Sequence, residues 1–109
     1  MTETPRSPRH LREPTRAWWR QIVTDYVLEP HHLRLLTLAG EAYDRACEAR
    51  EAVARDGAYF PVEGGAPRKH PAIGVERDAA VTFARLMREL DLDGAPQPDV
   101  RPPRIGSRT

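Results

Sequence analysis

The sequence has little of several residue types on which common protein classes depend. Cys47 is the only cysteine among its 109 residues, which excludes a disulfide within the chain and a metal site built from several cysteines. Aromatic residues are few, two Trp, three Tyr and two Phe, so we expect an aliphatic core rich in alanine. No apolar run is long enough to span a membrane or resembles a signal-peptide core. We therefore expect a protein of a reducing, cytosolic compartment.

The chain also lacks an excess of charge of either sign. The 17 basic residues nearly balance the 16 acidic ones, for a formal net charge of +1, and Lys69 is the only lysine. Binding to nucleic acid could not rest on overall charge and would need local clusters, or repetition of one cluster by assembly. At this length the chain forms one small domain.

What the sequence does contain is helical periodicity, and it predicts an all-α fold. Apolar residues recur at three- and four-residue steps in three segments. Thr15 is a suitable N-cap for the first segment, and Gly57 a suitable terminator for the second. A pair of glycines between two short apolar runs indicates a small hairpin or loop. The predicted elements are helices at 15–28, 31–56 and 71–92, a hairpin or loop at 58–70, a flexible basic arm at 1–14 and a disordered proline-rich tail at 93–109.

The second helix carries a seam of small residues with heptad spacing. Small side chains let another helix approach closely, and the seam is a candidate oligomer interface, although pairing with the third helix would also bury it. Further apolar surface at Leu33, Leu36, Leu38 and Tyr43 exceeds what one partner helix covers, which favours a contact with other subunits. The same helix has two pairs at i, i+4 spacing, Glu41 with Arg45 and Glu51 with Arg55. The seam consists of Leu35, Ala39, Ala42, Ala46, Ala49 and Val53.

Basic residues collect at two places. Arg68, Lys69 and His70 stand directly before Pro71, which favours the first turn of a helix. Positive charge opposes the helix dipole there, and a bound phosphate would reconcile the two. A solvated loop is the alternative. The second place is the predicted arm, with Arg6, Arg9 and Arg12.

Other residues that could carry chemistry have simpler interpretations. His31 and His32 lack a further ligand at metal spacing, and near a helix start they are expected to cap it or face solvent. Cys47 is interpreted as a small buried hydrophobe. One of Trp18 and Trp19 belongs to the core, and the other could seal a subunit contact. Glu76, Arg77 and Asp78 are expected to complement the helix dipole and to form an inter-helix salt bridge. No Gly-rich phosphate loop or carboxylate cluster is present, so we expect no enzyme activity, cofactor or metal.

Residues 15–92 resemble the phage terminase small subunit family. Two segments carry the resemblance: LEPHHLRLLTLAGEAYDRA after the tryptophan helix, and the KHPA…ERDA pattern at residues 69–79. It implies an all-helical, non-enzymatic protein of the host cytoplasm that forms a homo-oligomeric ring. Such a ring recognises the packaging start site on double-stranded viral DNA, and recruits and regulates the large terminase subunit, which holds the ATPase and nuclease.

Three functions therefore remain at this stage. A packaging-initiation subunit is favoured, and a ring would repeat each basic cluster until it forms a basic circle that contacts phosphates. The alternative is a small dimeric DNA-binding regulator or adaptor with no packaging role, and sizing would separate the two. A small nuclease is the third. The candidate DNA contacts are Arg6, Arg9, Arg12, Arg68, Lys69 and His70.

Overall fold

A computed structural model describes residues 4–94, and it confirms the three helices and the hairpin. The predicted tail lies outside the described residues except for its first two positions. In chain order the elements are α1 (Glu13–Asp25), α2 (Pro30–Asp56), β1 (Tyr59–Phe60), β2 (Arg68–Lys69), α3 (Pro71–Leu90) and a single 3₁₀ turn (Leu92–Gly94). No helix in this part of the chain is both long and apolar enough to cross a membrane.

The first helix begins earlier than the sequence predicts. Arg12 is its N-cap and Pro14 lies in its first turn, where the missing proline N–H costs nothing. Thr15 lies inside the helix, and its side chain is buried instead of capping. The helix also ends earlier, because Tyr26 is extended and Leu28 packs against the core.

Helices α2 and α3 form an antiparallel hairpin, and matched contacts along its length define the register. At the end of the helical hairpin next to β1 and β2, Arg50 pairs with Glu76 at 2.9 Å, which confirms the predicted inter-helix salt bridge. Halfway along, the rings of Tyr43 and Phe83 lie 5.5 Å apart. At the far end Leu36 and Leu90 are buried in one apolar cluster.

The main core lies at the end of the α2–α3 hairpin that is far from β1 and β2. Trp19 brings α1 into it, which confirms that one tryptophan is a core residue, and the Trp19 indole N–H donates to Thr37 at 3.3 Å. The buried members of this core are Leu11, Trp19, Leu36 and Leu90.

The small-residue seam of α2 is largely covered within one chain. Its four alanines, Ala39, Ala42, Ala46 and Ala49, are all buried, and Leu35 packs against the core. The small side chains of the seam allow other segments of the same chain, chiefly α3, to approach α2 closely. The structure thus follows the alternative of an intramolecular hairpin, and the apolar surface left for a second chain lies elsewhere.

The described part of the predicted basic arm also differs from a flexible segment. Leu11 is only 3% exposed and lies against Gly40 of α2. A Cβ atom at Gly40 would come within 3.1 Å of the Leu11 and Thr15 side chains, so glycine allows this close approach. The chain therefore packs against α2 before α1 begins, because burial of the Leu11 side chain stabilises the contact. The polar composition of the segment as a whole gives no sign of this one apolar residue.

Candidate nucleic-acid interface

A short antiparallel ribbon formed by β1 and β2 connects α2 to α3, and β2 carries Arg68 and Lys69 directly before His70. Tyr59 pairs with Lys69 and Phe60 with Arg68. The loop between the strands contains Gly64 at φ 77°, a conformation that glycine adopts without strain. All side chains from residue 59 to residue 69 are exposed, so this ribbon projects from the helical hairpin.

His70 fixes the base of the ribbon. Its backbone N–H donates to the Ala58 carbonyl at 2.8 Å, and its Nδ1 accepts from the Ala72 N–H at 2.9 Å. This bond makes Nε2 the protonated ring nitrogen, which donates to Asp56 at 3.1 Å. The residue is 8% exposed. His70 therefore orders the turn and caps α3, and it does not present its ring to a phosphate as the predicted site requires.

Asp56 closes this arrangement from the last turn of α2. Hydrogen bonds from Arg55 and then from His70 stabilise its ionised form and lower the pKa of the Asp56 carboxyl. At the base of the ribbon, His70 and Arg55 therefore both bond the Asp56 carboxylate.

Arg68 and Lys69 behave differently from His70. Both are exposed, and within residues 4–94 no carboxylate lies within 4.0 Å of either charge. Side chains alternate between the two faces of a strand. Lys69 therefore shares a face with Tyr59, whereas Arg68 shares the other face with Phe60, whose ring lies 5.0 Å from that of His70.

The N-terminal segment meets the acidic residues of α2. The Arg12 guanidinium pairs with Glu51 at 2.7 Å, and this bond raises the pKa of Arg12. His10 contacts Glu41, also at 2.7 Å. The predicted i, i+4 pairs within α2 are therefore wrong, because Glu41 and Glu51 turn to the N-terminal segment and Arg55 bonds Asp56.

A buried carboxylate fastens the same segment more firmly. Asp44 accepts hydrogen bonds from the Arg12 backbone N–H at 2.8 Å and from the Thr15 hydroxyl. Asp44 is 7% exposed, and buried carboxylates require such donors. Spacing along the chain gives no sign of this contact, because Thr15 and Arg12 are 29 and 32 positions away from Asp44.

The candidate DNA contacts are spread along α2 and do not lie at one place. Arg6 and Arg9 are exposed, and they lie beside His10, which contacts Glu41. His70 at the ribbon base contacts Asp56. Glu41 and Asp56 are fifteen positions apart on α2, or roughly 22 Å, whereas Arg12 pairs with Glu51, only five positions from Asp56.

The structure gives the remaining candidates ordinary roles. His32 Nδ1 accepts from the Glu29 N–H at 3.1 Å, which confirms a capping role at the start of α2, and the rings of His31 and His32 lie 4.1 Å apart. Cys47 is a free, half-buried thiol. Among the described residues no group of three or more His, Cys, Asp or Glu side chains could hold a metal ion.

Two surfaces with exposed apolar side chains flank the contact between α2 and α3. On one side is a groove of about 430 Å³, whose ends expose Leu38 by 49% and Val75 by 42%. On the other side Trp18, Tyr43 and Phe83 form an aromatic notch with Pro14 and Thr15. We call these surfaces the groove and the notch. The groove is lined by Leu38, Glu41, Ala42, Arg45, Val75, Asp78, Ala79, Thr82 and Leu86.

Sequence reasoning missed the arrangement of these two surfaces, although the signal for it was present. Ala42 lines the groove and Tyr43 the notch, while Thr82 and Phe83 divide in the same way. Neighbouring residues on a helix point about 100° apart. The two pairs therefore place a groove side and a notch side at the same height of the hairpin.

Comparison with known proteins assigns this helical hairpin to a family. Neither the curated proteins nor the solved structures contain a match to the chain. The family model described as "Phage terminase, small subunit" matches residues 15–103. That range contains all three helices and the ribbon except for the first two residues of α1. The chain belongs to the phage terminase small subunit family.

Proposed function

We propose that this protein binds double-stranded viral DNA at the packaging start site and recruits and regulates the large terminase subunit in the host cytoplasm. Membership in the family supports the packaging role. The observation that carries DNA binding is the projecting ribbon, because Arg68 and Lys69 are exposed and meet no carboxylate of the described chain. A dimeric regulator or adaptor remains the alternative function.

The ribbon supplies contacts to phosphate that do not depend on base sequence. Each Lys or Arg that neutralises a phosphate releases condensed counterions. The logarithm of the binding constant therefore falls linearly with the logarithm of the salt concentration. A nearly neutral chain can bind in this way if assembly repeats the two cations around a circle. Sequence preference would then require additional contacts to bases.

The experiment is a series of DNA titrations at several salt concentrations. For each ribbon engaged with DNA, changing both Arg68 and Lys69 to alanine should reduce the log–log slope by about 1.8, since each phosphate contact contributes about 0.9. Arg12→Ala is the matched control, because Glu51 already neutralises Arg12 and its loss should leave the slope unchanged. An unchanged slope in the double variant would place the DNA surface elsewhere.

We propose that the groove of one chain receives the notch side of the next. Both surfaces carry exposed apolar side chains and lie at the same height on the two sides of the helical hairpin, and contact between two different surfaces makes a head-to-tail interface. Repetition of such a contact closes a ring when the rotation between neighbours divides a full turn. Trp18, which packs against Phe83 at 6.0 Å, would then seal a subunit contact.

Native mass spectrometry tests this assembly at micromolar concentration. Leu38→Asp should dissociate it, because the substitution replaces exposed apolar area with a charge that the contact would have to desolvate. Val81→Asp is the control, since Val81 is a similarly exposed residue of α3 that does not line the groove. A monomeric wild-type protein, or equal dissociation by both variants, would contradict the proposed contact. A wild-type dimer would favour the regulator.

We also propose a non-catalytic role. The purified protein should show no ATPase or nuclease activity, with or without divalent metal, and it should alter the ATPase rate of a cognate large subunit. Metal-dependent DNA cleavage that is lost on changing His31 or His32 would overturn this part of the proposal.

A further inference from the structure

We propose that Tyr59 and Lys69 act together as a probe that enters a groove of duplex DNA, with Tyr59 making a non-ionic contact to sugar or base edges. The inference rests on the proposed DNA binding and adds to it a residue that is not charged. It also separates Lys69, which contacts phosphate, from His70, which orders the turn.

Tyr59 lies in a position that packing does not explain. It is 62% exposed, more than any other large apolar side chain of the described chain. Phe60, its neighbour, faces the body of the protein, where its ring packs 5.0 Å from that of His70. Because adjacent side chains point to opposite faces of a strand, Tyr59 faces away from His70. Leaving a large ring in water forgoes the stabilisation that burial would supply.

Lys69 gives that outward face a phosphate-binding group. It is directly opposite Tyr59 in the ribbon, at a separation where cross-strand side chains touch. The lysine carries a mobile charge suited to a phosphate oxygen. The tyrosine offers a ring and a hydroxyl that both donates and accepts hydrogen bonds. Together they present one ionic and one non-ionic contact on a single surface.

The ribbon is held in place before DNA arrives. His70 bonds Asp56 at the end of α2, Ala58 just before β1 and Ala72 in the first turn of α3. A two-stranded ribbon is also of a width that the major groove of B-DNA admits. A projecting element that is already ordered loses less conformational entropy on binding. The geometry therefore favours insertion of the ribbon over loose contact by a mobile loop.

Two variants separate the two duties. Titrations of the full-length protein against a 40-base-pair duplex, at four salt concentrations, should show that Tyr59→Ser weakens binding by about tenfold at every concentration without changing the slope. Lys69→Met should reduce the slope by about 0.9 for each ribbon engaged. Tyr59→Phe keeps the ring and should retain most of the affinity. Val81→Ser is the control for loss of an exposed apolar side chain.

The outcomes distinguish this inference from the proposed function. If the wild-type protein does not bind the duplex, both are wrong. If Lys69→Met reduces the slope while Tyr59→Ser binds like the wild type, only the role of Tyr59 is wrong. Tighter binding of the matching single strand would also overturn insertion into a duplex, because it would indicate stacking on unpaired bases. Melting temperatures of all variants should match that of the wild type, since the changed side chains are exposed.

Discussion

The two basic segments of this protein look alike in sequence and differ in structure. In the N-terminal segment, residues 6–12, two of the basic groups face acidic residues of α2, Glu41 and Glu51. In the ribbon, Arg68 and Lys69 meet no carboxylate within the described residues. The first segment pairs two of its basic groups with α2 and is fastened there through Asp44, whereas the second projects Arg68 and Lys69 into solvent.

The difference shows that a count of charges predicts a binding surface only after internal pairs are removed. Arg12 and Glu51 are 39 positions apart, so no local pattern reveals that they pair. An exposed ion pair contributes little stability, yet it removes a positive charge from the surface on offer to DNA. The predictions below test how firmly each segment is held, in order of decreasing effect.

Asp44→Ala should have the largest effect, because it releases the N-terminal segment. The substitution leaves the Arg12 backbone N–H and the Thr15 hydroxyl without their buried acceptor. We expect a loss of about 3 kcal/mol in the free energy of unfolding. Glu48→Ala is the control, since Glu48 is an exposed carboxylate of the same helix, and it should cost less than about 0.5 kcal/mol. Urea unfolding measures both, and equal costs would show that the segment is not fastened through Asp44.

His70→Ala should have the next largest effect, because it releases the ribbon. It removes the cap on the Ala72 N–H and the bond to Asp56, at a cost of about 1.5 kcal/mol. His70→Asn restores a side-chain acceptor at the N-cap and should recover about half of that loss. If asparagine gave no recovery, the buried ring of His70 would matter more than its cap.

A matched pair of glycine substitutions sharpens the comparison at smaller scale. Gly74→Ala should stabilise α3 by about 0.8 kcal/mol, because alanine favours a helix and a new Cβ would meet only the end of Arg77, at 4.0 Å. Gly40→Ala gains the same propensity but presses on Leu11 and Thr15 at 3.1 Å. We therefore expect it to be neutral or destabilising in thermal unfolding. Equal gains at both sites would show that the N-terminal segment yields easily.

The sequence predicts the helices well because their signals are local. Pro30 and Pro71 in first turns and Gly57 after the last turn of α2 mark boundaries that the structure keeps within a few residues. The start of α1 was misplaced at Thr15 because a threonine that reaches Asp44 resembles a threonine that caps a helix. Only a contact 29 positions away distinguishes the two roles.

The candidate site was only partly predictable, for the same reason. Periodicity identifies the alanine seam as an apolar face, but it does not say whether α3 or another chain covers it. Arg68 and Lys69 are exposed as expected of a hairpin with prolines in its loop, whereas His70 is buried. The alternation that separates Lys69 from His70 depends on a strand register, and two-residue strands leave too short a pattern to predict one.

The smallest predicted effect concerns pH and the base of the ribbon. The pKa of Asp56 is lower in the folded protein, first through Arg55 and then through His70. The stability gained from this shift is therefore fully present above the unfolded value, about 3.9, and is lost as pH falls through the folded pKa. Asp56→Asn keeps an acceptor for His70 but removes the charge. It should lower the melting temperature slightly at pH 7, and the difference from wild type should shrink as pH falls below about 3.9. Glu63→Gln, an exposed carboxylate of the ribbon loop, should show no such pH-dependent difference. A gap between Asp56→Asn and wild type that does not shrink with falling pH would mean that asparagine disturbs the packing of His70, beyond removing its charge partner.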